Sequence, residues 1–283
     1  MTWAVRQLAL QYPSSPLNTG PLLLYLTARD PTLGQAAITT LTTADPALLS
    51  AKALSTSGGL TTIHFHPLDI TSPTSIASFT TFLKETHPSG IDFLINNAGT
   101  ALNGFNADVV KATIACNYHG TFNLTRALFP LLCKPEGGRV VNVGSSAGLL
   151  SSFSPIIQEK FHSAKTVDDV TALMDEFTSA VELGTHEKEG WRSNSYGVSK
   201  AGVAQGTMRL AKEVEEANRQ QGKEKGNMLI NVCCPGWVVT DMTKGRGTKT
   251  PDEGAQTPVM LAIGDIGGQS GGFWRDGKVS WTA

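Results

Sequence analysis

Short apolar runs alternate with longer segments of helical periodicity along nearly the whole chain, and this alternation limits the fold more than any other feature. Pro21-Leu-Leu-Leu-Tyr-Leu-Thr27, Leu60-Thr-Thr-Ile-His-Phe-His66, Ile91-Asp-Phe-Leu-Ile-Asn96, Gly138-Arg-Val-Val-Asn-Val143 and Met228-Leu-Ile-Asn-Val-Cys233 are nearly continuous apolar stretches. None alternates strictly, which is the pattern of parallel strands covered on both faces. Helical patterns fill the intervals at about 31–45, 71–87, 107–133, 194–220 and 251–264. Such a series predicts an α/β fold, a doubly wound Rossmann-type parallel sheet with crossover connections. Gly271-Gly-Phe-Trp-Arg-Asp-Gly277 adds a last strand with a tight turn.

Bulk properties exclude several function classes. At 283 residues, 40% hydrophobic and 17% charged, the chain buries one large core, and a single domain over 1–283 is expected. A net charge of -1 gives no basic field for nucleic acid or an anionic membrane. The cysteines Cys116, Cys133, Cys233 and Cys234 show no C-x-x-C spacing, and the adjacent pair cannot readily bridge. Reduced, buried thiols in a cytoplasmic protein are expected, with no metal site. No stretch reaches membrane-span length, and the N-terminus lacks the pattern of a signal peptide. Residues 152–190 break the strand–helix rhythm. Val170, Leu173, Met174, Phe177 and Val181 recur at helical spacing within them, so a folded, two-helix insert is expected.

Chemistry concentrates in three side chains. Tyr196 and Lys200 stand four apart in Tyr-Gly-Val-Ser-Lys, on one face of a helix. Ser145 ends the apolar run Arg139-Val-Val-Asn-Val-Gly-Ser145. A phenol, an ammonium and a hydroxyl suffice to move a proton to or from a carbonyl or alcohol oxygen. The ammonium is expected to lower the phenol pKa by ~2–3 units. Tyr-x-x-x-Lys alone is a weak signal, but its surroundings strengthen it. Asn96-Asn97-Ala98-Gly99 follows a strand, where small residues let a backbone approach a ligand closely. Asn117, a poor helix former, lies within a helical pattern. Pro235-Gly236 ends another strand and leads into Trp237-Val-Val-Thr240-Asp241.

Taken in order, Asn-Asn-Ala-Gly, Asn117, Ser145, Tyr196-x-x-x-Lys200 and Cys-Cys-Pro-Gly-Trp resemble the short-chain dehydrogenase/reductase family. Within it the chain is most similar to the monomeric carbonyl reductases, which carry a long insert between the serine and the tyrosine. The resemblance implies an NADPH-dependent reduction of a small-molecule carbonyl to an alcohol by a monomer. Tyr196 would be the general acid, Lys200 would raise its acidity and hold the nicotinamide ribose, and Ser145 would bind the substrate oxygen, with Ser146 the alternative. Asn117 matches the residue that anchors a water relay to the lysine. Arg29 and Asp69 would meet the adenosine end, the guanidinium matching a 2′-phosphate. Asn96, Ala98, Gly99, Pro235, Gly236, Val238 and Thr240 complete the expected cofactor contacts, and Trp237 and Met242 the apolar substrate walls. A nucleotide-sugar epimerase shares Tyr-x-x-x-Lys, but the Asn-Asn-Ala-Gly motif and short C-terminal region disfavour it.

One part of the resemblance is missing. The family opens on a strand and a Thr-Gly-x-x-x-Gly-x-Gly turn that seats the pyrophosphate on a helix N-terminus. The first glycines here are Gly20, Gly34, Gly58 and Gly59, at no useful spacing, and the first thirteen residues resemble the helix that follows the turn. A sheet lacking its first strand and glycine-rich turn is therefore expected, from an incomplete gene model or a truncated form. In that form the chain would be a catalytically inactive binding module.

Overall fold

The computed structural model describes residues 2–132, 137–222 and 228–282. Cys133, the end of the helical segment expected over 107–133, lies outside them. The first half runs α1 (Thr2–Gln11), β1 (Leu22–Ala28), α2 (Pro31–Thr39), α3 (Pro46–Ser50), β2 (Thr61–Pro67), α4 (Pro73–Thr86), β3 (Phe93–Asn96), α5 (Ala107–Ile114) and α6 (Thr121–Leu132). The second runs β4 (Arg139–Val143), α7 (Pro155–Ser163), α8 (Val167–Glu182), α9 (Ser195–Gln220), β5 (Leu229–Cys234), α10 (Pro251–Ile263), β6 (Gly272–Arg275) and β7 (Lys278–Thr282).

Local chemistry sets many of these boundaries. Asp30, Asp45, Ser72, Ser154 and Thr250 each cap a helix whose next residue is proline. The cap side chain accepts backbone N–H groups that have no intrahelical partner, and proline fits N1 because its missing N–H is not needed there. Thr250 and Glu253 form a reciprocal capping box, as do Thr166 and Asp169 at the start of α8.

The strands form two parallel groups. β1 pairs with β2, and β3, β4, β5 and β6 follow in order, with β7 added antiparallel to β6. Asp276 and Gly277 both take positive φ and close the β6–β7 hairpin. Among the described residues no ladder joins β1 to β3, and a cavity of about 700 Å³ lies between their facing edges.

Helices cover both faces. One side packs Tyr118, Phe122, Met174, Phe177 and Trp191 into a single apolar cluster, and the other packs Leu8, Ile38, Leu48 and Val259. Val140 and Ile230 are fully buried between the layers, as parallel strands covered on both faces require. α7 and α8 occupy the segment between Ser145 and Tyr196, and α8 lies against α5 and α9. Trp191 closes this region: its ring meets Phe177 at 5.2 Å and its indole N–H donates to Glu176 at 3.2 Å. No helix among the described residues is long and apolar enough to cross a membrane.

Candidate active site

Tyr196 is the second residue of α9, whose first turn is fixed by the Asn194 side chain accepting the Gly197 N–H at 2.9 Å. Lys200 lies one turn on, 6% exposed, with Nζ 5.7 Å from the Tyr196 ring centroid. The ammonium donates to the Val143 carbonyl at 2.7 Å, at the end of β4. Ser145 follows two residues later. Its hydroxyl accepts the Ala147 N–H at 3.2 Å and acts on the Tyr196 phenol, tending to lower its pKa. Ser146 is exposed, its N–H directed at the Cys234 sulfur at 3.3 Å, so Ser145 is the serine that reaches the phenol.

Gly148 is what lets the serine turn reach α9. A Cβ built there would stand 2.4 Å from the Ala201 nitrogen and the Lys200 carbonyl carbon, both backbone atoms that cannot swing aside. Gly148→Val is expected to separate Ser145 from Tyr196, lowering activity at least about tenfold and stability by about 1–3 kcal/mol. Steady-state kinetics and thermal denaturation check this; unchanged values for both would refute the close approach.

The electrostatics correct one expectation. Burial raises the Tyr196 pKa above its ordinary value of 10.0, and the Ser145 hydroxyl opposes that rise without reversing it. The expected lowering by Lys200 does not occur, because the ammonium faces the ring and the Val143 carbonyl. Burial also lowers the Lys200 pKa to about 8. The arrangement holds a protonated phenol beside a hydroxyl: a proton donor at neutral pH.

Asn117 lies in a π-helical stretch, Ala115–Gly120, between α5 and α6. A widened turn of this kind is frequent at functional sites, because it re-aims a side chain that a regular helix would place elsewhere. The Asn117 amide is buried and bonds Thr100 twice, accepting its N–H at 2.7 Å and donating to its carbonyl at 2.9 Å. It also donates to the Ser199 hydroxyl at 2.9 Å, which in turn donates to the Tyr196 carbonyl at 2.8 Å. Asn117 thus ties the loop after β3 to the helix carrying Tyr196. A Cβ on Gly99 would come within 3.2 Å of Asn117 Oδ1 and 3.6 Å of Lys200 Nζ, so this loop, the lysine and Asn117 enclose one point. Ser199 and the Val143 carbonyl were not singled out in the sequence. A small polar residue between Tyr196 and Lys200 was the available signal for the first, and a backbone carbonyl leaves none.

The remaining expected contacts divide. Arg29 is exposed just past β1, and its charge helps hold the Asp69 carboxyl below its ordinary range. The larger cause is Thr71, whose hydroxyl donates to Asp69 at 2.7 Å. Ala98 and Gly99 follow β3, and Pro235 and Gly236 follow β5, so these positions share the carboxyl edge of the sheet, where such folds bind ligands. Gly236 has φ +90, and a Cβ there would strike the Lys249 side chain at 2.9 Å. Val238 pairs with Lys249 in an isolated bridge, and the Thr240 N–H is taken by Thr243 Oγ1 at 3.0 Å. Trp237 and Met242 are exposed, at 56% and 49%. Asn96 departs from expectation. Its side chain turns inward, donating to Thr125 and Asn142 at 2.8 Å each, while Asn142 donates to Thr207 at 2.8 Å. This amide braces the sheet against α6 and α9 and presents nothing to a ligand.

Comparison with known proteins shows what the chain is similar to. The family model described as short chain dehydrogenase matches residues 32–157. Carbonyl reductase (NADPH) 1 of Homo sapiens is 39% identical over 263 residues, which span 90% of this chain and 87% of that protein. Its counterpart in Rattus norvegicus is 38% identical with the same coverage. Among solved structures, salutaridine reductase from Papaver somniferum superposes with a TM-score of 0.77 at 25% identity, covering 96% of this chain and 94% of that one.

Proposed function

The chain belongs to the short-chain dehydrogenase/reductase family, and on that premise we propose that it is an NADPH-dependent reductase converting a small-molecule carbonyl to an alcohol, with Tyr196 as general acid. The observation that carries the reading is the convergence of Ser145, Tyr196 and Lys200 from β4 and α9 on one point. The residues fit such a cofactor at its two ends. The exposed Arg29 guanidinium suits a 2′-phosphate, with Asp69 beside it, and the close approach of Gly99 to Lys200 leaves a cradle that a Cβ would fill. Among the described residues none supplies a glycine-rich turn at the head of α1. Bound NADPH supplies the hydride.

The protein's own groups do the rest. Ser145 donates a hydrogen bond to the carbonyl oxygen as negative charge grows on it. Tyr196 gives that oxygen its proton, which the raised pKa keeps available at neutral pH. Lys200 keeps positive charge against the ring face, and Asn117 holds the loop that walls the pocket. Trp237 and Met242 offer apolar surface to the substrate. The reading includes a cytoplasmic monomer. α8 covers part of α9 and so occupies a helix face that could otherwise pair, and a dimeric sedimentation coefficient would contradict it.

A second reading, an inactive binding module, is favoured by the gap between β1 and β3. A nicotinamide-fluorescence titration separates the two. The reductase gives saturable NADPH enhancement that Arg29→Glu weakens more for NADPH than for NADH. Absence of any saturable signal supports the idle module.

A further inference from the structure

We infer that Lys249 and Asp276 are positioning residues, whose ion pair sets where the exposed arm over residues 237–248 stands at the carboxyl edge of the sheet. The tie concerns the arm alone, and its effect on turnover rests on the proposed reduction.

The arm leaves β5 through Pro235 and Gly236 and returns at Thr250, the cap of α10. Its two ends are zipped together. The Thr248 and Lys249 N–H groups donate to the Trp237 carbonyl at 2.8 and 3.0 Å, and the Val239 N–H donates to the Lys249 carbonyl at 2.9 Å. Further out, the arm folds on itself through Thr243, whose hydroxyl donates to the Val238 carbonyl at 2.8 Å. Lys244 then donates to Asn103 Oδ1 at 3.2 Å, which sets the tip against the loop after β3. Gly236, with φ +90, stands at the root of the arm and is the residue whose backbone is freest to turn.

Lys249 holds this pivot in two ways. Its stem lies across Gly236, where a Cβ would meet Lys249 Cδ at 2.9 Å and Cε at 3.0 Å. Its ammonium pairs with the Asp276 carboxylate at the tip of the β6–β7 hairpin, and that hydrogen bond holds the carboxyl below its ordinary range. The hairpin tip is itself anchored: the Gly277 N–H donates to Thr257 Oγ1 of α10 at 3.2 Å. The two side chains are 28% and 54% exposed, so solvent screens the pair and its contribution to global stability is small. Its leverage is local, because it joins an exposed arm to the sheet. Without the tie the lysine stem is free to leave Gly236, and the arm turns about that residue. Ser145, Tyr196 and Lys200 stay on the end of β4 and on α9. Loss of the tie therefore weakens substrate binding and spares the chemical step.

Asp276→Asn tests the pair without disturbing the hairpin, since asparagine tolerates the φ of +51 found there. The KM for a ketone is expected to rise at least about threefold, with kcat within about twofold of wild type. Lys249→Met keeps a stem over Gly236 and loses the ammonium. It should give the same rise, and the double variant no further rise. Arg275→Gln is the control. Arg275 also pairs with Asp276, at 3.4 Å, but it lies on the hairpin itself and cannot hold the arm, so its KM should match wild type. Amide exchange in the free protein separates failure of this inference from failure of the proposed reaction. The Val239, Thr248 and Lys249 amides should exchange faster in Asp276→Asn, and the β5 amides should not. Additive effects of the two substitutions, a loss confined to kcat, or unchanged exchange at those three amides would overturn the inference. A wild-type protein that reduces no ketone would defeat the proposed reaction, and the exchange result would still decide the tie.

Discussion

Tyr196→Phe is expected to lower the rate of carbonyl reduction by about 10³-fold, within the range general acid catalysis contributes, while leaving NADPH binding and the fold in place. The substitution removes one oxygen from a half-buried ring and leaves the ring contact with Lys200. The Ser145 hydroxyl loses a polar neighbour but still accepts the Ala147 N–H. A stability change under ~1 kcal/mol follows, since a single neutral hydrogen bond contributes about that much. In the wild type, reduction should be level through neutral pH and fall on the alkaline side, because the phenol must be protonated to act and burial raises its pKa. Oxidation of the alcohol should rise over the same range. A variant that kept the wild-type rate would remove Tyr196 from the mechanism.

Lys200→Met should separate activity from stability in the opposite sense to an ordinary core substitution. Activity is expected to fall by at least about 10²-fold, and NADPH binding to weaken. Stability at pH 7 should hold or rise, since a buried ammonium is replaced by a side chain of similar length. The pH dependence carries the sign. The folded pKa, about 8, lies below the ordinary 10.5, so between these values the unfolded chain binds more protons than the folded one. Stability therefore rises with pH across that window, and the cost of burying the charge is fully present below about pH 8. A displacement of this size corresponds to about 3 kcal/mol at most. Denaturant midpoints at pH 7 and pH 10 should converge for the two proteins at the higher pH. A wild-type advantage that is larger at pH 7 than at pH 10 would contradict the buried-charge account.

The sequence carried the architecture where physics is local. Apolar runs at 138–143 and 228–233 read as buried strands because both faces of each are covered, and the helical patterns expected from 31 and 251 begin at Pro31 and Pro251 in the structure. β7 was missed: Lys278–Thr282 is short, and its place depends on pairing with β6 across a hairpin. The candidate site residues were legible because four-residue spacing on a helix and a serine after a strand are both local patterns. Two of their properties were not. Whether Asn96 points outward or into the Thr125–Asn142 network depends on side-chain direction at a strand end, which composition does not encode. The direction of the Tyr196 shift depends on where one ammonium points, and the Val143 carbonyl that fixes it is a backbone atom.

The central claim is that these residues support transfer of hydride and proton to a carbonyl. The most direct test incubates the 283-residue protein with a prochiral aromatic ketone and NADPH deuterated at C4 of the nicotinamide, on one face and then on the other. The account predicts an alcohol of one configuration carrying deuterium from one face only, with no product from Tyr196→Phe. Absence of labelled alcohol from wild-type protein that binds NADPH saturably would contradict it.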